Sequence, residues 1–269
     1  MKKFGFITNK YTVSALILLC LLLADIVLHK GMSRVILPSS FTDKIVPVKL
    51  PLCNNELVSK SKHWVKGIDN IQLMKKLPAN TTGIECDVYF DLQKGHFDVY
   101  HDSTAPSTLN LDSLLMVYAA RKLGADVWLD FKNLTKENTN ASLNEVTRLK
   151  SKYALKGKLI VESHNPQFLR AFCDSGYFTS YYVPFFNPYK ATETEIIQFA
   201  DTIRNNLTKY PTSAVSGYYF QYPVLKKFFP NYPILTWADN SSVSVVSYVF
   251  KRQLENDENI KVILYPLED

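Results

Sequence analysis

A chain of 269 residues, of which 46% are hydrophobic and 13% aromatic, is long enough to bury a large core. Its formal net charge of +6 is modest and its lysines are scattered, which argues against a nucleic-acid-binding protein. One domain is the simplest arrangement, because the chain beyond residue 50 contains no repeat, low-complexity block or Pro/Gly-rich linker.

The N-terminal 34 residues resemble a membrane-targeting segment. Three lysines precede an apolar stretch from Tyr11 to Leu28, which only Asp25 interrupts. As a helix the stretch would be about 27 Å long, close to the thickness of the hydrocarbon core of a bilayer. It ends in IVLHK rather than in small residues, which favours an uncleaved anchor over a cleaved signal peptide. The lysines favour a cytoplasmic N-terminus, so the folded part would be extracytoplasmic, or secreted if the segment is cleaved.

The four cysteines do not have metal-binding spacing. Cys20 lies in the apolar segment, and the other three are an odd number. One alternative is a disulfide between Cys53 and Cys173. The simpler expectation is that Cys86 and Cys173 are buried as small hydrophobic side chains.

Strand-like runs alternate with helix-like segments over the remainder of the chain. Asn165-Pro166 has the pattern of a helix start, and Thr192 and Glu195 have capping-box spacing. The predicted strands are residues 83–90, 97–101, 126–131, 158–162, 179–183, 214–219, 233–237 and 260–265. This alternation predicts an α/β protein, a closed (β/α)8 TIM-type barrel over 57–269, with 35–56 as a linker after the segment 1–34. The absence of a glycine-rich phosphate fingerprint argues against a dinucleotide-binding fold.

The first predicted strand, GIECDVYF at 83–90, contains two acids. Because strand side chains alternate, Glu85 and Asp87 share one face while the apolar residues between them form the other. On the inner face of a barrel, two unpaired carboxylates would be costly to bury, so a hard divalent cation such as Mg²⁺ or Ca²⁺ is expected to neutralise them. The alternative is a solvated edge strand whose acids face water.

Further polar residues lie at or near predicted strand ends. His63 precedes a helix-like segment, His101 ends the run at 97–101, and Asp130 and Lys132 share a strand face. With the two acids these residues make a coherent site for phosphodiester cleavage, in which one histidine deprotonates the nucleophile and the other protonates the leaving alkoxide. The hypothesis requires all six side chains to converge in one pocket.

The ordered motifs His63, Glu85-x-Asp87, His101-Asp102 and Asp130-x-Lys132 resemble those of the phospholipase C-like phosphodiesterase superfamily, as does TWAD at 236–239. The superfamily includes glycerophosphodiester phosphodiesterases, sphingomyelinase D-type enzymes and menorin-like proteins. The resemblance implies a TIM-type barrel and hydrolysis of a glycerophosphodiester or lipid-type phosphodiester with one divalent cation, Mg²⁺ or Ca²⁺. The implied residues are catalytic His63 and His101, metal ligands Glu85, Asp87 and Asp130, and substrate-side Lys132.

Two motifs depart from the glycerophosphodiesterase pattern. HWV at 63–65 stands where the glycerophosphodiesterases usually have His-Arg-Gly, and it is closer to the menorin-like His-Ala-Val-Asn. The arginine of the usual motif is therefore missing, and Lys66 is a candidate substitute. Asp130-x-Lys132 resembles the sphingomyelinase D branch. His164 and Trp237 are further candidates for substrate contact, with ordinary packing as the alternative for the aromatic residue. The alternative function is an inactive membrane-anchored barrel that serves as an extracytoplasmic binding or interaction protein.

Overall fold

A closed barrel of parallel strands forms the body of the protein in a computed structural model, which describes residues 10–37, 40–53, 56–57, 59, 61–101, 108–155, 159–238 and 244–267. Within those residues the strands are β1 (His63–Val65), β2 (Gly83–Asp91), β3 (His96–Val99), β4 (Asp126–Phe131), β5 (Leu159–Ser163), β6 (Phe178–Tyr182), β7 (Ala214–Tyr218), β8 (Ile234–Trp237) and β9 (Ile260–Tyr265). All of them except β3 belong to the barrel, which closes through β1 pairing with both β9 and β2.

The predicted barrel is confirmed, but its strands are not quite those predicted. The run at 97–101 is β3, which pairs antiparallel with the second half of β2 and stands outside the barrel. The eighth barrel strand is instead β1, which has three residues and was not predicted. Strand β2 is nine residues long, so it serves both partners. Its first half pairs with β1 and completes the barrel, whereas its second half extends beyond the barrel and pairs with β3.

The barrel interior is filled by one or two side chains from each of several strands. These buried residues are Trp64, Trp128, Ile160, Phe178, Ala214, Leu235, Val262 and Leu264. Gly83 lies so close to the Trp64 ring that its backbone leaves no room for a Cβ. The opposite faces of the strands are also buried, under the helices, which explains the nearly continuous apolar runs.

Helices precede the barrel and cover its outer surface. They are α1 (Lys10–Leu28), α2 (Lys30–Ile36), α3 (Ile71–Lys76), α4 (Leu111–Ala120), α5 (Thr139–Lys152), α6 (Pro166–Asp174), α7 (Glu193–Lys209), α8 (Tyr222–Phe228) and α9 (Val245–Asn256). Helix α6 begins at Pro166, as predicted. The predicted capping box of α7 is also present, because Thr192 accepts from the Glu195 amide and Glu195 accepts from the Thr192 amide.

The N-terminal segment contains one helix, Tyr11–Leu28, that is long and apolar enough to cross a membrane, as a signal sequence also would be. Residues 1–9, with two of the three lysines, lie outside the described residues. The chain that follows packs on the barrel rather than forming a spacer, since Ile45 and Leu50 from the predicted linker are buried in the core.

A disulfide ties this segment to the barrel. Cys53 is bonded to Cys173 in α6, with Cα atoms 6.4 Å apart. The expectation that Cys173 is a free buried thiol is therefore wrong, while Cys86 is free and buried as expected. A local pattern cannot reveal a bridge between residues separated by 120 positions.

Candidate active site

A cavity of about 570 Å³ opens at the C-terminal ends of the barrel strands. This is the end at which TIM-barrel enzymes assemble their active sites from several strands. The acidic and basic side chains of its lining are those of Lys66, Glu85, Asp87, His101, Asp130, Lys132 and Glu162. Five of the six side chains in the phosphodiesterase hypothesis therefore reach one cavity and His63 does not, so the convergence of all six that the hypothesis required is not met.

Three carboxylates meet at the floor of the cavity. In the parallel register Asp87 of β2 lies beside Asp130 of β4, and Glu85 precedes Asp87 on the same strand face. One oxygen from each of the three residues lies within 4.8 Å of the others, and all three residues are buried. Carboxylate oxygens grouped in this way are the ligands that Mg²⁺ and Ca²⁺ prefer.

Burial makes these carboxylates costly as isolated charges. It raises the pKa of Glu85 well above its ordinary value, and the charges of Asp87 and Asp130 raise it further. Burial also raises the pKa of Asp87 and of Asp130, although Lys132 acts in the opposite direction on both. Within the described part of the chain, Asp130 Oδ1 has no hydrogen-bond partner. The cluster therefore fits a divalent cation, which would favour the charged forms.

Lys132 supplies one positive charge to this cluster. Its Nζ lies 2.5 Å from Asp87 Oδ1 and also pairs with Asp130. Burial lowers the pKa of Lys132, but the two carboxylates raise it more, so the side chain is charged at neutral pH. Lys132 therefore offsets only part of the negative charge that the three carboxyl groups would carry when ionised.

The loop after β1 adds a carboxylate that the sequence analysis did not identify. Asp69 Oδ1 accepts a hydrogen bond from the Asp87 amide at 2.8 Å, and burial raises the pKa of this carboxyl group. In the same loop the Gly67 amide donates a hydrogen bond to Glu85 Oε2 at 2.7 Å. The φ angle of Gly67 is 69°, a conformation that favours glycine. Because β1 was not recognised, nothing in the sequence marked Asp69 as following a barrel strand.

His63 lies away from the cavity, which corrects its predicted catalytic role. It is the first residue of β1, at the end of the strand opposite the cavity, and its ring packs 4.4 Å from that of Tyr265. Since Trp64 points into the barrel, strand alternation directs His63 outward. The side chain that follows β1 into the cavity is Lys66.

The two other candidate histidines, His101 and His164, follow strands β3 and β5. His101 follows β3 and lines the cavity, while Asp102 of the same motif lies outside the described residues. His164 does not line the cavity but stacks on Tyr182, which does, at 3.9 Å between ring centroids. Burial lowers the pKa of His164.

An aromatic wall forms the side of the cavity near β6, β7 and β8. Trp237 lines it as predicted, and its ring lies 5.0 Å from that of Tyr182 and 4.9 Å from that of Tyr218. Glu162 of β5 lies below this wall, and burial raises its pKa well above the ordinary value. Asp239, the last residue of the TWAD motif, lies outside the described residues.

No protein-family model and no curated protein sequence matches the chain. Among solved structures, it is similar to a Silicibacter pomeroyi protein described as a glycerophosphoryl diester phosphodiesterase, with a TM-score of 0.51 and 12% identity over 79% of this chain and 92% of that one. A glycerophosphodiester phosphodiesterase from Parabacteroides distasonis gives a TM-score of 0.49 and 13% identity, covering 77% of this chain and 93% of that chain.

A calcium-dependent phosphoinositol-specific phospholipase C from a Gram-negative Pseudomonas species gives a TM-score of 0.48 and 12% identity, covering 76% of this chain and 88% of that chain. At such low identities, similarity of structure establishes the fold. The similarity to the Silicibacter pomeroyi protein confirms the predicted TIM-type barrel.

Proposed function

We propose that the protein is a phosphodiesterase that uses one divalent cation, Mg²⁺ or Ca²⁺. The observation that carries the proposal is the buried cluster of Glu85, Asp87 and Asp130 at the mouth end of the barrel, where their oxygens come within 4.8 Å of one another. The barrel shared with a protein described as a glycerophosphoryl diester phosphodiesterase supports the same reaction class. The substrate would be a glycerophosphodiester or a lipid-type phosphodiester.

Glu85, Asp87 and Asp130 would hold the cation. When bound, it would neutralise the phosphate and the charge that develops on it during cleavage. Asp69 accepts from the Asp87 amide and so fixes the Asp87 backbone, and the Gly67 amide donates to the Glu85 carboxylate and orients it.

We assign the remaining polar residues to substrate binding and to proton transfer. His101 is exposed at the cavity mouth, where it can take a proton from the nucleophile or give one to the leaving alkoxide. Lys132 and Lys66 provide positive charge for the non-bridging phosphate oxygens. His164 and Trp237 lie on the aromatic side, where they would contact the remainder of the substrate. Because neither His63 nor His164 lines the cavity, His101 is the histidine among the described residues to which we assign proton transfer.

The alternative, an inactive barrel that binds a phosphate-containing ligand, also has an observation in its favour. The first catalytic histidine implied by the resemblance does not reach the cavity, and a lysine stands at that end of β1. In addition, Lys132 already pairs with two of the three carboxylates. Such a protein would retain ligand binding without turnover.

The test is hydrolysis of a panel of soluble and lipid phosphodiesters by the full chain in detergent, with EDTA, Mg²⁺ or Ca²⁺. We expect cation-dependent activity that falls at least about 100-fold in His101→Ala and Asp87→Asn. His63→Ala is the matched control and should be unaffected, because its ring packs on Tyr265 outside the cavity.

Activity that persists in EDTA or in His101→Ala contradicts the mechanism. Saturable binding of a phosphodiester with no turnover under any condition supports the alternative function.

A further inference from the structure

The candidate membrane helix is joined to the barrel by specific polar contacts. Asp25, the acid that interrupts the apolar stretch, accepts a hydrogen bond from the Val246 amide in the first turn of α9 at 3.0 Å. His29 Nδ1 lies 2.9 Å from Asp25 Oδ1 and 3.3 Å from Ser244 Oγ. A carboxylate at a helix N-terminus is a favourable arrangement, so α1 is held against α9 rather than tethered by a flexible chain.

This junction lies at the rim of the cavity. Helix α9 follows β8, so its N-terminus is at the same end of the barrel as the cavity mouth. Gly31 of α2 packs so closely on Tyr219 that a Cβ would meet the phenol oxygen. Because Tyr219 lines the cavity, the segment that emerges from α1 contacts the wall of the candidate active site.

The first two turns of α9 expose an apolar stripe. Val245, Tyr248 and Val249 are 61%, 59% and 41% exposed and follow the i, i+3, i+4 spacing of one helix face. The next residue on that face is Arg252, whose guanidinium lies 5.8 Å from the Tyr248 ring centroid. One turn further the face ends in exposed Asn256. The stripe is therefore apolar near the cavity mouth and polar away from it.

The start of the apolar stripe lies beside the C-terminal part of α1, within the stretch that could span a membrane. Val245 and Val249 line an apolar groove together with Leu22 and Ile26 of α1. The level of α9 is fixed by the bond from the Val246 amide to Asp25, which is three residues inside the end of the span at Leu28, or about 4.5 Å along the helix. When α1 crosses a bilayer, the start of α9 therefore lies below the level at which α1 leaves the hydrocarbon.

We propose that the apolar stripe of α9 inserts into the same bilayer that α1 spans, so that the cavity opens at the level of the lipid headgroups. Tyr and Arg side chains such as Tyr248 and Arg252 suit the interface between hydrocarbon and water. This proposal extends the proposed function to a substrate class, the phosphodiester of a membrane lipid in that leaflet, and for that part it rests on the proposed function.

The membrane contact is tested without activity, on the full chain in vesicles of phosphatidylcholine and phosphatidylglycerol. A Cys20→Ala background removes the exposed free thiol, and Val249→Cys or Asn256→Cys then carries an environment-sensitive fluorophore. The two positions lie two turns apart on one face of α9. We expect lipid-borne nitroxides to quench the label at 249 and aqueous iodide to quench the label at 256.

Equal quenching of both labels by iodide overturns the proposal. A label at 249 that is protected from iodide but not quenched by lipid nitroxides shows a protein partner on this face and also overturns it.

The substrate class is tested with Val249→Asp, which lies outside the cavity lining. We expect the hydrolysis of vesicle phosphodiester lipids to fall about tenfold while hydrolysis of a soluble phosphodiester stays within about twofold, because only the approach to the bilayer changes. Asn256→Asp is the control and should affect neither. Equal loss on both substrates overturns the lipid assignment. Absence of all turnover in the unmodified chain contradicts the proposed function alone, and the quenching experiment still decides the membrane contact.

Discussion

Lys132 is the residue that most affects the charge of the candidate site. It pairs with Asp87 and Asp130 in a region where both carboxylates are buried. Removal of one partner from a buried ion pair leaves the other as an uncompensated charge, which is among the largest effects of a single substitution.

Lys132→Met is therefore expected to lower the free energy of unfolding of the cation-free protein by about 3 kcal/mol. Mg²⁺ or Ca²⁺ should restore much of the loss, since a cation held by Glu85, Asp87 and Asp130 replaces the missing ammonium. The measurement is urea unfolding with and without each cation. Lys136→Met, at an exposed position, is the control. Equal stability of Lys132→Met and the unmodified protein would show that the pair contributes nothing.

Glu162 provides a pH-dependent test. Burial raises its pKa well above the ordinary value, and the charge of Asp130 adds to this. A raised pKa means that the folded protein retains a proton that the unfolded chain loses. The stabilisation by that proton is complete below the pKa of the unfolded chain, near 4.5, and is lost as the pH rises towards the folded value.

Glu162→Gln cannot lose a proton, so it should be more stable than the unmodified protein by about 1–2 kcal/mol at about pH 8, with a smaller difference at about pH 5. Unfolding free energies of both proteins at the two pH values decide this. Glu137→Gln, on the exposed surface, is the control, and its unfolding free energy should differ from that of the unmodified protein by the same amount at both pH values. A Glu162→Gln effect that is independent of pH would contradict the assigned protonation.

At the scale of elements, the contact between β1 and β2 closes the barrel. Trp64 from β1 fills the interior against Gly83, the first residue of β2. A three-residue strand offers few backbone hydrogen bonds, so the fit between these two residues bears directly on closure.

Gly83→Ala is expected to destabilise the protein by about 1–3 kcal/mol, because the added methyl group would overlap the buried indole. Gly124→Ala is the matched control, since a Cβ there meets nothing within 4 Å. The measurement is chemical unfolding of the two variants and the unmodified protein. Similar stability of the two variants would mean that Trp64 moves aside without cost.

At the scale of the whole molecule, the disulfide joins the segment before the barrel to α6. Its two cysteines are separated by 120 residues, so it restricts much of the unfolded chain. Disulfides of this kind persist in oxidising compartments.

The double substitution Cys53→Ser and Cys173→Ser should lower the free energy of unfolding by about 4 kcal/mol. Reduction of the unmodified protein should have a similar effect, measured by urea unfolding with and without reductant. Cys20→Ser removes an exposed free thiol and should change neither value. Insensitivity of the unmodified protein to reductant would contradict a stabilising bridge.

Local periodicity in the chain was enough to predict several features. Alternation with a period of two set Glu85 and Asp87 on one strand face, and the alternation of strands with helices indicated a barrel. The structure then brought Asp130, Lys132, His101 and Trp237 to the same cavity.

Long-range packing selects the segments that close the barrel and the side chains that reach its mouth. Strand β1 is too short for its pattern to stand out, and its direction and register come from pairing with β9 and β2. That pairing turns His63 outward and brings Lys66 and Asp69 to the site. The disulfide and the contact of Asp25 with α9 likewise join residues distant in the chain. Such contacts depend on the packing of the whole chain, which a local pattern does not encode.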